Sequence, residues 1–140
     1  MNRRAFLAAS VAAVTLPGVA LAGGVTLDFD KSDPIKKALA EGKTVFVDYA
    51  ADWCSTCSRQ ERIIGALRSE NPEYDENIVF VRVDWDDFGR APVATSRNIP
   101  RRSTLIALKG DKELGRIVAG TAQGQIKALM DRALAAAKSA

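Results

Sequence analysis

Thr44-Val45-Phe46-Val47-Asp48-Tyr49-Ala50-Ala51-Asp52-Trp53-Cys54-Ser55-Thr56-Cys57 decides how the rest of this chain is read. Residues 44–50 are β-branched, aromatic and almost continuously apolar, the pattern of a strand buried on both faces of a central sheet. Asp48 interrupts that run. A carboxylate inside such a strand is costly to desolvate unless it is partnered or protonated, so Asp48 is a candidate functional residue. The strand leads into the only two cysteines of the chain, three residues apart. With Cys54 at the N-cap or first position of a helix, Cys57 returns to nearly the same face one turn later, within disulfide reach. Both a dithiol and a disulfide are then allowed.

A thiol at a helix N-terminus feels the partial positive charge of unpaired backbone N–H groups, which favours thiolate. Lowering the Cys54 pKa from about 8.5 to about 7 raises the thiolate fraction at neutral pH roughly 16-fold. The accompanying loss of basicity costs roughly 5-fold in nucleophilicity, leaving a net gain of only about 3-fold. Fast exchange therefore also needs an accessible Cys54 and a surface that orients the target disulfide. The spacing equally admits a permanent disulfide or half of a metal site. A mononuclear zinc site needs about four ligands, and the chain has no His and no further Cys, so metal would require a second chain or carboxylates. The same absence excludes a Cys-His hydrolase. Asp84, Asp86 and Asp87 lack the Gly and distal Glu of a calcium loop and read as a solvated loop.

The chain has 140 residues, 47% of them hydrophobic, which suits one folded domain. Residues 1–22 have the form of a cleavable export signal: Arg3 and Arg4, an apolar stretch from Ala5 to Leu16, a Pro17-Gly18 break, and Ala20-Leu21-Ala22 before Gly23. Asn2-Arg3-Arg4-Ala5-Phe6-Leu7 resembles the twin-arginine export motif, with Asn2 and Ala8 departing from its usual Ser and Lys. An ordinary charge pair would serve a general signal equally. The apolar run is shorter than the ~20 residues that span a bilayer, so cleavage near Ala22-Gly23, a periplasmic location and no stable membrane insertion are expected. Residues 23–140 then form the single domain. Without Arg3 and Arg4 the formal charge falls from +3 to +1. No basic block with interleaved aromatics appears, and nucleic acid is not an expected partner.

Around the deciding stretch, Val25–Phe29 alternates as a short strand, and Ser32-Asp33-Pro34 sets a capping side chain before a proline at a first helical position. A helix over 35–41 closes at Gly42. Ile63, Ile64 and Leu67 place a second helix over 55–70, stopped by Asn71-Pro72. Residues 78–83 form another buried strand, and 92–97 one or two helical turns. Strands over 103–109 and 114–118 flank a Gly110-Asp111 turn. Thr121 is expected to cap a last helix with Ile126, Leu129, Met130, Ala133, Leu134 and Ala137 on one stripe. The order β-α-β-α-β-α-β-β-α predicts an α/β fold, a central mixed β-sheet flanked by helices on both faces.

Val45 to Cys57 resembles the strand, buried Asp and Trp-Cys-x-x-Cys segment of the thioredoxin family, and Ala51-Asp52-Trp53-Cys54 is similar to the periplasmic thioredoxin-like domains of the membrane thiol-reductase system. Ser103 to Gly120 resembles the family's hairpin, and Gln123 to Lys127 the start of its last helix, so the likeness spans residues 33–137. The resemblance implies a thioredoxin fold and a thiol-disulfide oxidoreductase without cofactor or resident metal. It implies that Cys54 is the exposed attacking thiolate and Cys57 the buried resolving thiol of a redox disulfide. Asp48 would move the Cys57 proton, and Trp53 would lie over the cysteines and shape the contact surface. Protein disulfides are the implied substrates of a monomer supplied by a membrane or periplasmic thiol donor.

The family places a cis-proline opposite the pair. Counting back without gaps from Lys109 puts Ser103 there, immediately before Thr104, whereas Ile99-Pro100 matches the Ile-Pro dipeptide but needs a three-residue insertion. Both stay open, so Ile99, Pro100, Ser103 and Thr104 are all candidate substrate-binding residues. Arg101-Arg102 would flank the pair in either alignment, and a solvated basic loop accounts for them. Direction is read from context: Asp48 and Ala51-Asp52-Trp53 suggest a reductant, Ser55-Thr56 is neither the Gly-Pro of typical thioredoxins nor the Pro-His of strong oxidants, and the absence of a His between the cysteines argues against a strongly oxidising protein. The alternative is a metal carrier or assembly chaperone on the same fold, using the pair as soft ligands.

Overall fold

The computed structural model describes residues 24–139; the expected export segment and its cleavage point lie outside the described residues. Five strands, β1 (Thr26–Asp28), β2 (Thr44–Ala50), β3 (Ile78–Asp84), β4 (Thr104–Lys109) and β5 (Lys112–Val118), form one sheet in the order β1-β3-β2-β4-β5. β2 pairs in parallel with β3 and antiparallel with β4, so the sheet is mixed and β2 is central. All seven residues of β2 are buried, as its continuous apolar run requires.

Side chains alternate across a strand, and β2 divides between two cores accordingly. Val45, Val47 and Tyr49 pack with Ile35 and Ala38 of α1 (Pro34–Ala40), Val93 and Ala94 of α5 (Pro92–Thr95), and Ile106. The Tyr49 hydroxyl donates to the Val93 carbonyl at 2.7 Å. Phe46 faces the other way, packing with Ile64 and Leu67 of α2 (Ser55–Glu70) and Ile126, Leu129 and Met130 of α6 (Gln123–Lys138). Each such side chain contributes roughly 1.5–3 kcal/mol on burial, which holds β2 rigidly between the layers. Asp48 follows Phe46 in the alternation and lies on the α2 side, where both line a cavity of about 280 Å³.

The expected helices and strands are present, with three corrections. Asp84, Asp86 and Asp87 do not form a loop: Asp86 and Asp87 are solvent-exposed as expected, but Asp84 caps the short helix α4 (Trp85–Phe88), its carboxylate accepting from the Asp86 and Asp87 amides at 2.9 and 3.3 Å. A further helix, α3 (Glu73–Asn77), follows Pro72 with acidic residues in its first turn. Thr121 does not cap α6; Ala122 occupies that position, with no side-chain cap. Asp33 does cap α1, accepting from the Lys36 amide at 2.9 Å ahead of Pro34. Gly110 turns the β4–β5 hairpin at φ 59°, a conformation glycine adopts without steric cost. Among the described residues no helix is long and apolar enough to cross a membrane.

Candidate functional site

β2 ends at Ala50, and the turn through Asp52-Trp53 delivers Cys54 to the N-cap of α2. Cys54 and Cys57 form a disulfide with their Cα atoms 5.3 Å apart. The Cys54 sulfur accepts from the Cys57 amide at 3.1 Å, replacing the side-chain oxygen of an ordinary N-cap. A negative charge on Cys54 would therefore meet a backbone donor and the positive end of a 16-residue helix. Cys54 is not exposed as expected: with the disulfide closed it is 3% accessible and Cys57 1%. Ala50, Ala51 and Trp85 pack around the pair.

The antiparallel register sets Thr104 opposite Tyr49, so the residue before β4 falls beside the C-terminal end of β2. That residue is Ser103. Its amide donates to the Tyr49 carbonyl at 2.7 Å, and its hydroxyl lies 3.2 Å from the Cys54 sulfur and 3.1 Å from the Cys57 sulfur. Pro100 is exposed, and Ile99 is buried in the core on the α1 side with Val93 and Ala94. Thr104 is buried, its hydroxyl donating to the Arg101 carbonyl at 2.7 Å. Of the four candidates on this segment, the structure brings Ser103 to the sulfurs. Among the described residues every peptide bond is trans, including that of Ser103.

Gln60, unremarkable in the sequence, holds this arrangement together. It is fully buried on α2, and its amide nitrogen donates to the Ser103 carbonyl at 3.0 Å and the Gly120 carbonyl at 2.9 Å. Lying three residues after Cys57, it shares the Cys57 face of the helix, and that spacing is the signal the sequence offers. The Ser103 carbonyl also accepts from the Ala119 amide at 2.8 Å.

Asp48 is 8% accessible, and its Oδ1 has no hydrogen-bond partner. Burial, reinforced by the nearby Glu61 carboxylate and opposed by the Arg82 guanidinium, pushes its pKa up to about 8. The carboxyl is then mainly protonated at neutral pH and able to give or take a proton close to it. Glu61, Arg82 and Ile64 line the same cavity. Glu61 carries no signal of its own along the chain; it becomes visible only when α2 is laid over β2.

Trp53 is 61% accessible. Its indole N–H donates to the Asp86 carboxylate at 2.9 Å, and the Arg102 guanidinium stacks 4.3 Å from its ring. Arg101 donates to the Arg102 carbonyl at 3.0 Å. The two arginines are thus engaged around the site and do not form a simply solvated loop. Among the described residues no group of three or more His, Cys, Asp and Glu side chains is placed to hold a metal ion.

This geometry suits disulfide exchange: a disulfide one helical turn across, a sulfur at a helix N-terminus accepting from the Cys57 amide, and a buried carboxyl with its pKa raised toward neutrality. Comparison with known proteins agrees. The family model described as thioredoxin-like matches residues 30–110. Thioredoxin H5 of Oryza sativa subsp. japonica is 32% identical over 101 residues, covering 70% of each chain. Thioredoxin-1 of Saccharomyces cerevisiae is 29% identical over 90 residues, 64% of this chain and 82% of that protein. The crystal structure of Trxlp from Edwardsiella tarda superposes with a TM-score of 0.64 at 26% identity, covering 75% of this chain and 98% of that one. With a thioredoxin fold built around the Cys54–Cys57 pair, the chain belongs to the thioredoxin-like family and is a thiol-disulfide oxidoreductase.

Proposed function

We propose that the protein is exported to the periplasm and reduces disulfides of protein substrates there, as a monomer recharged by a membrane or periplasmic thiol donor. Cys54 attacks the substrate disulfide, and Cys57 displaces the substrate from the resulting mixed disulfide. The ionised fraction of Asp48, the minority form at neutral pH, takes the proton that Cys57 must lose, directly or through water. The observation that carries the mechanism is the Asp48 carboxyl itself, buried on the α2 side of the central strand with its pKa raised to about 8. A carboxyl of ordinary acidity would be a poor acceptor for a thiol proton; one near 8 is closely matched to it. The reductant direction is supported by the Asp48 and Ala51-Asp52-Trp53 context, with no His between the cysteines to favour a strong oxidant, and export by the form of residues 1–22.

Three measurements test this reading. Protein lacking residues 1–22 should catalyse insulin-disulfide reduction by dithiothreitol, and Cys54→Ser should abolish it; equal rates in both would overturn the exchange mechanism. Equilibration of the pair with glutathione then fixes direction. A potential near about −270 mV supports a reductant, whereas one near about −120 mV makes the protein an oxidant. Fractionation of cells producing the full chain, with and without Arg3 and Arg4 replaced by Lys, tests export and its route.

A further inference from the structure

Among the described residues, Ser103 is the one whose side chain is hydrogen-bonded to the sulfurs, and it reaches both. Ser103 is fully buried, its amide tied to Tyr49 and its carbonyl to Gln60 and Ala119. Its φ of 63° is a left-handed conformation that residues with a Cβ seldom adopt, so these bonds hold the oxygen in a position the backbone would not choose alone. The oxygen is fixed while its hydrogen remains free to rotate. A hydroxyl has one proton to donate, and here two acceptors stand at nearly equal distance. Disulfide sulfur is a weak acceptor, whereas an ionised partner roughly doubles the strength of a hydrogen bond. The Ser103 bond therefore strengthens only when a sulfur becomes charged.

We propose that Ser103 is a further catalytic residue, whose hydroxyl turns to donate first to the Cys54 thiolate and then to the Cys57 thiolate during exchange. The proposal rests on the exchange mechanism above. The Cys54 thiolate attacks one sulfur of the substrate disulfide; a mixed disulfide forms and the first substrate sulfur leaves as a thiolate that solvent protonates. Cys54 is then neutral, and the hydroxyl hydrogen turns to Cys57. After Cys57 loses its proton to Asp48 or solvent, its thiolate attacks Cys54, the mixed disulfide breaks, and the second substrate thiolate leaves. The substrate has gained two electrons, the Cys54–Cys57 disulfide has formed, and Ser103 keeps its proton throughout.

Ser103→Ala and Ser103→Gly both remove the hydroxyl, and glycine also suits the positive φ, so the second variant loses the donor while relieving the backbone. In fully reduced protein, the pH dependence of Cys54 alkylation by iodoacetamide reads thiolate formation without any protein partner. Both variants should show about a tenfold weaker Cys54 acidity, and the glutathione equilibrium should move toward the disulfide by up to tenfold, about 30 mV. Titration of both variants within twofold of wild type overturns the proposal, as does a Gly variant that behaves like wild type when Ala does not, since backbone strain would then be the cause. Catalysis with no Ser103 effect rejects this inference alone; a Ser103 effect in a protein without insulin reductase activity rejects the proposed function and leaves the donor role standing.

Discussion

Arg82 stands opposite Asp48 in the parallel β2–β3 register, yet its guanidinium donates to Glu61 at 3.1 Å and Asp52 at 3.0 Å, and Asp48 Oδ1 is left without a partner. The arginine is close enough to lower the Asp48 pKa but does not neutralise the carboxyl by a direct bond. Burial therefore prevails, and the carboxyl holds its proton at neutral pH.

That balance makes stability fall with rising pH. The folded-state pKa of Asp48, about 8, lies above the ordinary value of 3.8. Between these values the folded state binds more protons than the unfolded one, so the contribution present below pH 4 is progressively lost up to about pH 8. A tenfold difference in proton affinity between the two states is worth about 1.4 kcal/mol. Asp48→Asn should raise the unfolding free energy by several kcal/mol at pH 8 and change it little at pH 4, measured by urea denaturation. Parallel pH profiles for the two proteins would refute the assignment.

The neighbours of Asp48 should move its titration in opposite directions. Glu61→Gln removes a charge that raises its pKa, and Arg82→Gln one that lowers it. A carbon-13 NMR titration of the Asp48 carboxyl should show a lower midpoint in the first variant and a higher one in the second. Resolution of a mixed disulfide at pH 7 should then be slower in Arg82→Gln than in Glu61→Gln. Equal midpoints would mean that burial acts alone.

What is legible in the sequence is whatever carries a strong pattern. The seven buried residues of β2 form a run that only a central strand accommodates, and Asp48 is visible because it violates that run. The cysteine spacing admits Cys54 as N-cap or first helical residue, and the structure makes it the N-cap. Helix α3 escapes the sequence pattern because only Tyr74 of its five residues is buried, leaving no apolar period to detect. Helix α4 escapes it because its acidic residues read as ligands or solvated charges, although Asp84 followed by Asp86 and Asp87 is also a capping pattern. Ser103 and Pro100 cannot be separated along the chain. The choice depends on which residue the β2–β4 register carries to the end of β2, a long-range relation. Gln60 and Glu61 are hidden for the same reason, being polar residues on a helix whose partners lie on other elements.

Gln60 should behave as a structural brace of the site. Gln60→Ala leaves the Gly120 carbonyl without its side-chain donor and removes one of two donors from Ser103. An unsatisfied buried polar group costs about 1–3 kcal/mol, and that is the loss expected in unfolding free energy. Gln60→Glu should be worse at neutral pH, because a carboxylate offers the two carbonyls no donor. A loss below about 0.5 kcal/mol in both variants would show that the loop is held without it.

Trp53 should contribute to substrate contact far more than to stability. Its ring is largely exposed, and what it loses on truncation is a stacked guanidinium and one hydrogen bond at the surface. Exposed cation–π contacts are worth about 0.5–1 kcal/mol, so Trp53→Ala should lower the unfolding free energy by only about 1 kcal/mol. An aromatic anchor in a protein interface is worth about 2 kcal/mol or more, which predicts a fall of about 10- to 30-fold in exchange with a protein disulfide. A small aromatic disulfide needs no such platform, and its reaction with reduced Cys54 should stay within about twofold of wild type. Equal losses on both substrates would place Trp53 in the chemistry of the sulfurs instead, and unchanged rates on both would leave its exposure unrelated to recognition. The asymmetry follows from geometry: the indole is turned outward to Asp86 and Arg102, while the groups that touch the sulfurs are the Cys57 amide and the Ser103 hydroxyl.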